Sequence, residues 1–330
     1  MNSEKTTYIF QDLQLLFNKT LNTYNVGSSP AGLYDPIRYT LGLGGKRLRP
    51  VLLLMAVDAF GGNIEDALPA AMAIEIFHNS TLIHDDIMDQ AQLRRNQPSV
   101  YKKWNTNIAI LSGDLMIIKS YEALNNLKTT KFQEVLTVFN KVAAQVCEGQ
   151  QYDLDFETND HIELPDYLNM IRLKTSVLLA GALQIGAILG GAEPDDAKKL
   201  YKFGENLGMA FQLQDDLLDA FGNEQTFGKK IGGDIVANKK TFLLLKALDL
   251  AQGAYKDELT SLMNNKNIDE DEKITKVLQI YRELDVKSLT EKQMIKYFDK
   301  AFSNLKEITI EESRLDALYQ VSKNLIERKS

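Results

Sequence analysis

Apolar positions recur at helical spacing along nearly the whole chain, and strictly alternating, strand-like runs are scarce. Residues 8–24 form an amphipathic pattern that residues 27–30 (Gly-Ser-Ser-Pro) interrupt, and a short helix is predicted over 33–41. Residues 42–50 read as a turn rich in glycine and base, and residues 51–60 as an apolar helix that Gly61-Gly62-Asn63 ends. Pro69 is placed to start the next helix, and 90–99 is polar loop. Further helices are predicted over 107–127, 131–157 and 165–189, and from Pro194, where acids follow the proline as a helix N-terminus favours. Residues 222–240 have the glycine and lysine content of a mobile lid, and amphipathic helices follow from 241. The expectation is one all-α helical bundle, a single domain over residues 1–330.

Two stretches break the apolar pattern in the same way. Leu82-Ile83-His84-Asp85-Asp86-Ile87-Met88-Asp89 puts carboxylates at i, i+1 and i+4 of an apolar helix, and Gln214-Asp215-Asp216-Leu217-Leu218-Asp219 repeats the spacing. Residues four apart share a helix face, so the acids of each stretch crowd and repel. A positive partner must relieve them, either a hard metal ion or a basic group. Two such stretches facing each other across a cavity would suit Mg²⁺, which takes a few carboxylates together with substrate phosphates.

Composition narrows the class. Hydrophobic content of 44% and charged content of 25% are those of a globular protein, and the net charge of 38 − 45 = −7 comes with no basic stripe for nucleic acid. The single cysteine, Cys147, excludes an internal disulfide framework and fits a reducing compartment. Residues 1–5 carry no apolar signal, and the longest near-apolar run, 177–192, is short for a bilayer and rich in glycine and alanine. The expectation is a cytoplasmic protein with no integral membrane segment. Basic residues gather instead in short segments: Gly44-Gly45-Lys46-Arg47-Leu48-Arg49-Pro50, Arg94-Arg95, Lys174-Thr175, and a lysine- and glycine-rich stretch over 227–241. Two acidic clusters and several basic ones imply a substrate with several phosphates, and the apolar bundle around them implies a greasy remainder.

These segments, in this order, resemble the trans-isoprenyl diphosphate synthase family, the polyprenyl synthetases. GGKRLRP, HNSTLIHDDIMD, RRNQPSVYKKW, LKTS, FQLQDDLLD and GKKIGGDIVANKKT carry the resemblance, from Gly44 to Thr241. It implies an isoprenoid-synthase bundle around a deep central cavity, a homodimer, and head-to-tail joining of isopentenyl diphosphate to an allylic diphosphate (dimethylallyl, geranyl or farnesyl) with release of pyrophosphate. It also implies that Lys46, Arg49, His78 and Arg95 bind isopentenyl diphosphate. Asp85, Asp86, Asp89, Asp215 and Asp219 would hold Mg²⁺, three ions, against the allylic diphosphate. Arg94, Lys174, Thr175, Gln212, Lys229 and Lys239 would contact that diphosphate, with Lys230 taking the place of Lys229 if the motif is read in the other register. The chemistry would fall to Asp85, Asp86, Asp89, Arg94, Lys174, Asp215 and Lys229. Tyr101 departs from the His or Arg that the family often has there.

Product length is read on the first acidic helix. Thr81, Ser80 and Phe77 precede Asp85 by four, five and eight residues. Members of that family making the C15 product commonly place an aromatic near the first two positions, whereas here these are small and polar and Phe77 lies about 5 Å deeper. A C20 product, geranylgeranyl diphosphate, is expected, with C15 or C25 and longer as alternatives. A di-iron carboxylate bundle is the remote rival, because Glu75 and His78 form one E-x-x-H pair, but such bundles need two.

Overall fold

The structure is a computed structural model that describes residues 8–159, 161–222, 231–265 and 267–326. The described residues are helical almost throughout, and only Leu93–Arg94 and Gln97–Pro98 pair as strands. The helices bearing on function are α1 (Phe10–Thr23), α2 (Ala31–Gly42), α3 (Leu48–Ala59), α4 (Ile64–Met88), α5 (Val100–Lys103), α6 (Thr106–Leu124), α7 (Phe132–Thr158), α8 (Leu164–Ile171), α9 (Val177–Gly190) and α10 (Pro194–Phe221). A π-helical turn, Arg172–Ser176, separates α8 from α9. Contacts gather the chain into two compact units. The first comprises Met1–Ala143, Leu178–Tyr201 and Lys306–Val321, and the second Ala144–Val177, Lys202–Leu305 and Ser322–Ser330.

Unit 1 is organised on α4, which packs against α3 and most extensively against α6. Its buried face is rich in alanine (Ala67, Ala70, Ala71, Ala73), which lets neighbouring backbones come close. The same device works in α9, where a Cβ on Gly186 would overlap the Leu53 carbonyl of α3. The small residues of the 177–192 run are therefore there for close packing. By length and composition Leu164–Gly190 could cross a membrane, yet 78% of its apolar window is buried in the fold.

Unit 2 closes over two apolar clusters. One joins Tyr167, Met170, Met209, Leu213 and Phe242; the other joins Leu217, Ile235, Leu244, Val277 and Tyr281. Local capping defines its later helices: Thr241 accepts from the Leu244 N–H, and Asp269 from those of Asp271 and Glu272.

Three expectations need correction. The first acidic helix starts at Ile64, not at Pro69, because Asn63 accepts the Glu65 N–H at 3.1 Å and Glu65 and Asp66 occupy the first turn. Pro69 sits inside that helix, where it forfeits one backbone hydrogen bond. Helix α3 begins at Leu48, within the stretch read as a turn, and the 90–99 loop contains the two-residue strand pair.

Candidate active site

In unit 1 the acids come from the last turn of α4, which Asp89 ends by donating its N–H to the Asp85 carbonyl. The spacing places the three acids unequally: Asp85 is half-buried, Asp89 exposed, and Asp86 only 2% exposed. Asp86 Oδ1 accepts from Arg94 Nε at 2.9 Å and also from Arg94 Nη2. Burial raises the Asp86 carboxyl above its ordinary range, and Arg94 works against that rise. Asp86, expected among the metal ligands, thus holds Arg94 here, and Asp85 and Asp89 provide the carboxylates nearer the surface. Arg94 is aimed by the strand pair, in which Arg94 faces Gln97 and the two residues between them, Arg95 and Asn96, both have positive φ (53° and 61°). Such a turn is unfavourable for arginine, and it directs the Arg95 guanidinium onto the Gly44 carbonyl.

A cluster of cations adjoins this face. Arg49 Nη1 lies 3.1 Å from His78 Nε2, and Arg95, Arg94 and Arg47 all act on the same imidazole. Burial first, then these charges, push His78 well below its ordinary range, so it is neutral. Arg49 Nε is buried without a hydrogen-bond partner among the described residues, a donor available to an anion. Arg47, in a left-handed conformation (φ 50°), is instead structural: it pairs with Glu75 at 2.5 Å and donates to the Leu41 carbonyl. That pairing accounts for Glu75, and removes it from any di-iron role. Lys46 is exposed beside the cluster. The structure therefore brings Arg49, His78, Arg94 and Arg95 together.

Below Asp85 on α4, Thr81 and Ser80 turn their hydroxyls back to the His78 and Phe77 carbonyls, at 2.8 and 2.7 Å. Phe77 is buried edge-to-face on Phe139, whose ring also meets Tyr121. Tyr101, the family departure, buries a hydroxyl without a partner among the described residues.

Unit 2 repeats the arrangement of the acids. Asp215 and Asp219 are half-buried and Asp216 is buried. Asp216 accepts from the Tyr167 hydroxyl at one oxygen and from Gln212 Nε2 at the other, at 3.3 Å. Gln212 Oε1 in turn accepts from Thr175 Oγ1 at 3.3 Å, which joins two expected diphosphate contacts. Burial and the charge of Asp234 push Asp216 up to about 7, against the pull of Tyr167 and Gln212. Thr175 and Lys174 sit on the π turn, and Lys174 Nζ donates to Asp153 Oδ2 at 2.5 Å. The wide turn requires Gly149 of α7, because a Cβ there would overlap the Lys174 backbone nitrogen. Lys239 Nζ lies 3.8 Å from Asp234 Oδ1, whereas Lys229 and Lys230 lie outside the described residues.

Among the described residues no three His, Cys, Asp or Glu side chains gather into a metal cage. Each unit offers two carboxylates one helical turn apart, Asp85 with Asp89 and Asp215 with Asp219. All-oxygen sets of that size fit Mg²⁺ when phosphate oxygens and water complete the shell. Tyr167, Asp153 and Asp234 were not singled out from sequence; the positioning of Asp216, Lys174 and Lys239 depends on contacts that leave no local signal.

The chain matches the polyprenyl synthetase family model over residues 30–281. It is 42% identical over 222 residues to the geranylgeranyl diphosphate synthase of Methanosarcina mazei, covering 67% of this chain and 68% of that one. A crystal structure of a geranylgeranyl pyrophosphate synthase superposes with a TM-score of 0.93 at 44% identity, covering 98% and 100%. The geranylgeranyl pyrophosphate synthase of Corynebacterium glutamicum, solved with calcium and isoprenyl diphosphate, superposes with a TM-score of 0.81 at 27% identity, covering 97% and 96%.

Proposed function

The chain belongs to the polyprenyl synthetase family, and from that premise we propose that it condenses isopentenyl diphosphate head to tail with an allylic diphosphate to make C20 geranylgeranyl diphosphate. It is a prenyltransferase. The observation that carries this reading is the gathering in unit 1 of the cations Arg49, Arg94 and Arg95 around a neutral His78, with Arg94 tied to Asp86 in the acidic turn that also carries Asp85 and Asp89.

Asp85, Asp89, Asp215 and Asp219, with Asp86 if Arg94 releases it, would hold Mg²⁺, three ions by family analogy. When bound, the metal would supply Lewis-acid stabilisation of charge on the departing pyrophosphate. Arg94, Lys174 and Lys239, with Lys229, hold that diphosphate directly. Arg94 and Lys174 are each already oriented by an aspartate, Asp86 and Asp153, so little reorganisation is needed when substrate arrives. Thr175 and Gln212 add polar contacts fixed by Asp216. Lys46, Arg49, His78 and Arg95 hold isopentenyl diphosphate so that its double bond meets the allylic carbon. Ionisation of the allylic C–O bond leaves a cation that water would trap, so the hydrocarbon must be surrounded by apolar side chains. The proton lost at the end goes to pyrophosphate.

Length is set on α4. Ser80 and Thr81 let the chain pass, and Phe77, two turns below Asp85 and about 12 Å along the helix axis, stops it. The name of the M. mazei relative supports the C20 assignment. Both units act as one catalytic domain, in a cytoplasmic homodimer. The test is incubation of the purified chain with Mg²⁺, labelled isopentenyl diphosphate and each allylic primer, with products sized by chromatography. A C20 product that lengthens in Phe77→Ala supports the assignment; an unchanged distribution in that variant removes Phe77 as the floor.

A further inference from the structure

Lys273 is a charge that the reaction above does not use. It lies on the helix Glu270–Glu283, is 6% exposed, and pairs with no carboxylate among the described residues. Its ammonium donates to the Val236 carbonyl at 3.1 Å and to Asn238 Oδ1 at 2.7 Å. Burial lowers its pKa from the ordinary lysine value. A buried ammonium without an opposite charge is a poor way to gain stability, and a methionine of the same length would pack there at less cost.

What Lys273 holds is the described segment 232–238, which is tied to Asp219 and leads into Lys239. At one end Asp219 accepts from the Gly232 N–H through its carbonyl at 2.7 Å and from the Asp234 N–H through Oδ2 at 3.0 Å. At the other end the Lys239 N–H returns to the Asp234 carbonyl at 2.9 Å. Asn238 between them is left-handed (φ 52°), an uncommon conformation for a residue with a side chain, and it is fixed by donating Nδ2 to the Met263 carbonyl at 2.9 Å. Asp219, Asp234, Lys239 and Lys273 line one cavity of unit 2.

We propose that Lys273 is a positioning residue for the allylic diphosphate site: by gripping Val236 and Asn238 it fixes where Lys239 stands relative to Asp219. The inference rests on the reading of Lys239 as a diphosphate contact.

Steady-state kinetics of the full chain with Mg²⁺, varying one diphosphate at a time, tests it in Lys239→Ala, Lys273→Met and the double variant. Lys273→Met should raise the allylic KM about fivefold, as a coupled neighbour does, with the isopentenyl diphosphate KM unchanged and the melting temperature no lower than that of the native chain. The double variant should be no worse than Lys239→Ala, because without Lys239 there is nothing left to place. Should Lys273→Met fail to fold, Asn238→Ala, which keeps the ammonium and removes the nearer of its two acceptors, carries the same expectation. Additive effects, equal changes in both KM values or an unchanged allylic KM overturn the role of Lys273 and leave that of Lys239 standing. An unaffected allylic KM in Lys239→Ala overturns both.

Discussion

Arg49 can only donate, so the 3.1 Å approach of its Nη1 makes His78 Nε2 the acceptor and leaves the imidazole proton on Nδ1. In the unfolded chain His78 takes up a proton near its ordinary pKa of about 6.5; in the fold it does not, because burial and four arginines oppose it. The unfolded state therefore binds more protons below that pH, and stability is lost as pH falls from about 6.5 toward the folded pKa. Urea-unfolding midpoints measured from about pH 8 to 5 should fall on the acid side in the native chain and fall less in His78→Asn; equal slopes would show that His78 is not the group responsible. The same residue scale marks where sequence reasoning ends. Glu75, legible as half of an E-x-x-H pair, belongs to Arg47, 28 residues away. Asp216 and Tyr167 are 49 apart, and Lys273 and Asn238 are 35 apart. Buried polar groups need partners, but spacing does not say which.

At the scale of elements, periodicity did most of the work. The 3.6-residue pattern located the helices that carry both acidic motifs, and the i, i+4 aspartates fall on one face, as the period requires. What it missed are two irregular turns, the π turn and the strand pair. The π turn at Arg172–Ser176 has an ordinary helical sequence and exists where Gly149 admits the Lys174 backbone. The strand pair that aims Arg94 depends on two positive-φ residues that a polar loop does not advertise. Both irregularities present expected diphosphate contacts. Regular helix fixes where the acids, Arg49 and His78 stand, whereas the irregular turns fix where Arg94 and Lys174 stand.

For the whole molecule, the small residues of α4 and α9 explain how long apolar stretches are consumed in packing. Helix α6 leaves apolar surface uncovered: Leu111 and Ile118 are 59% and 56% exposed on one face, with Tyr121 a further turn along. That face supports the homodimer reading. Light scattering should give twice the mass of the chain, and Leu111→Glu with Ile118→Glu should halve it; a dimer that survives both changes would place the interface elsewhere.

Two acidic motifs, 126 residues apart at Asp89 and Asp215, are assigned to one Mg²⁺-dependent prenyl transfer. The direct measurement is the rate of isopentenyl diphosphate incorporation against Mg²⁺ concentration in Asp85→Asn and Asp215→Asn. Removing a carboxylate from either site should cut turnover at least about a hundredfold, as loss of a transition-state charge contact does, and each variant should keep its helical circular-dichroism spectrum. Near-native turnover and an unchanged Mg²⁺ dependence in either variant would contradict the account.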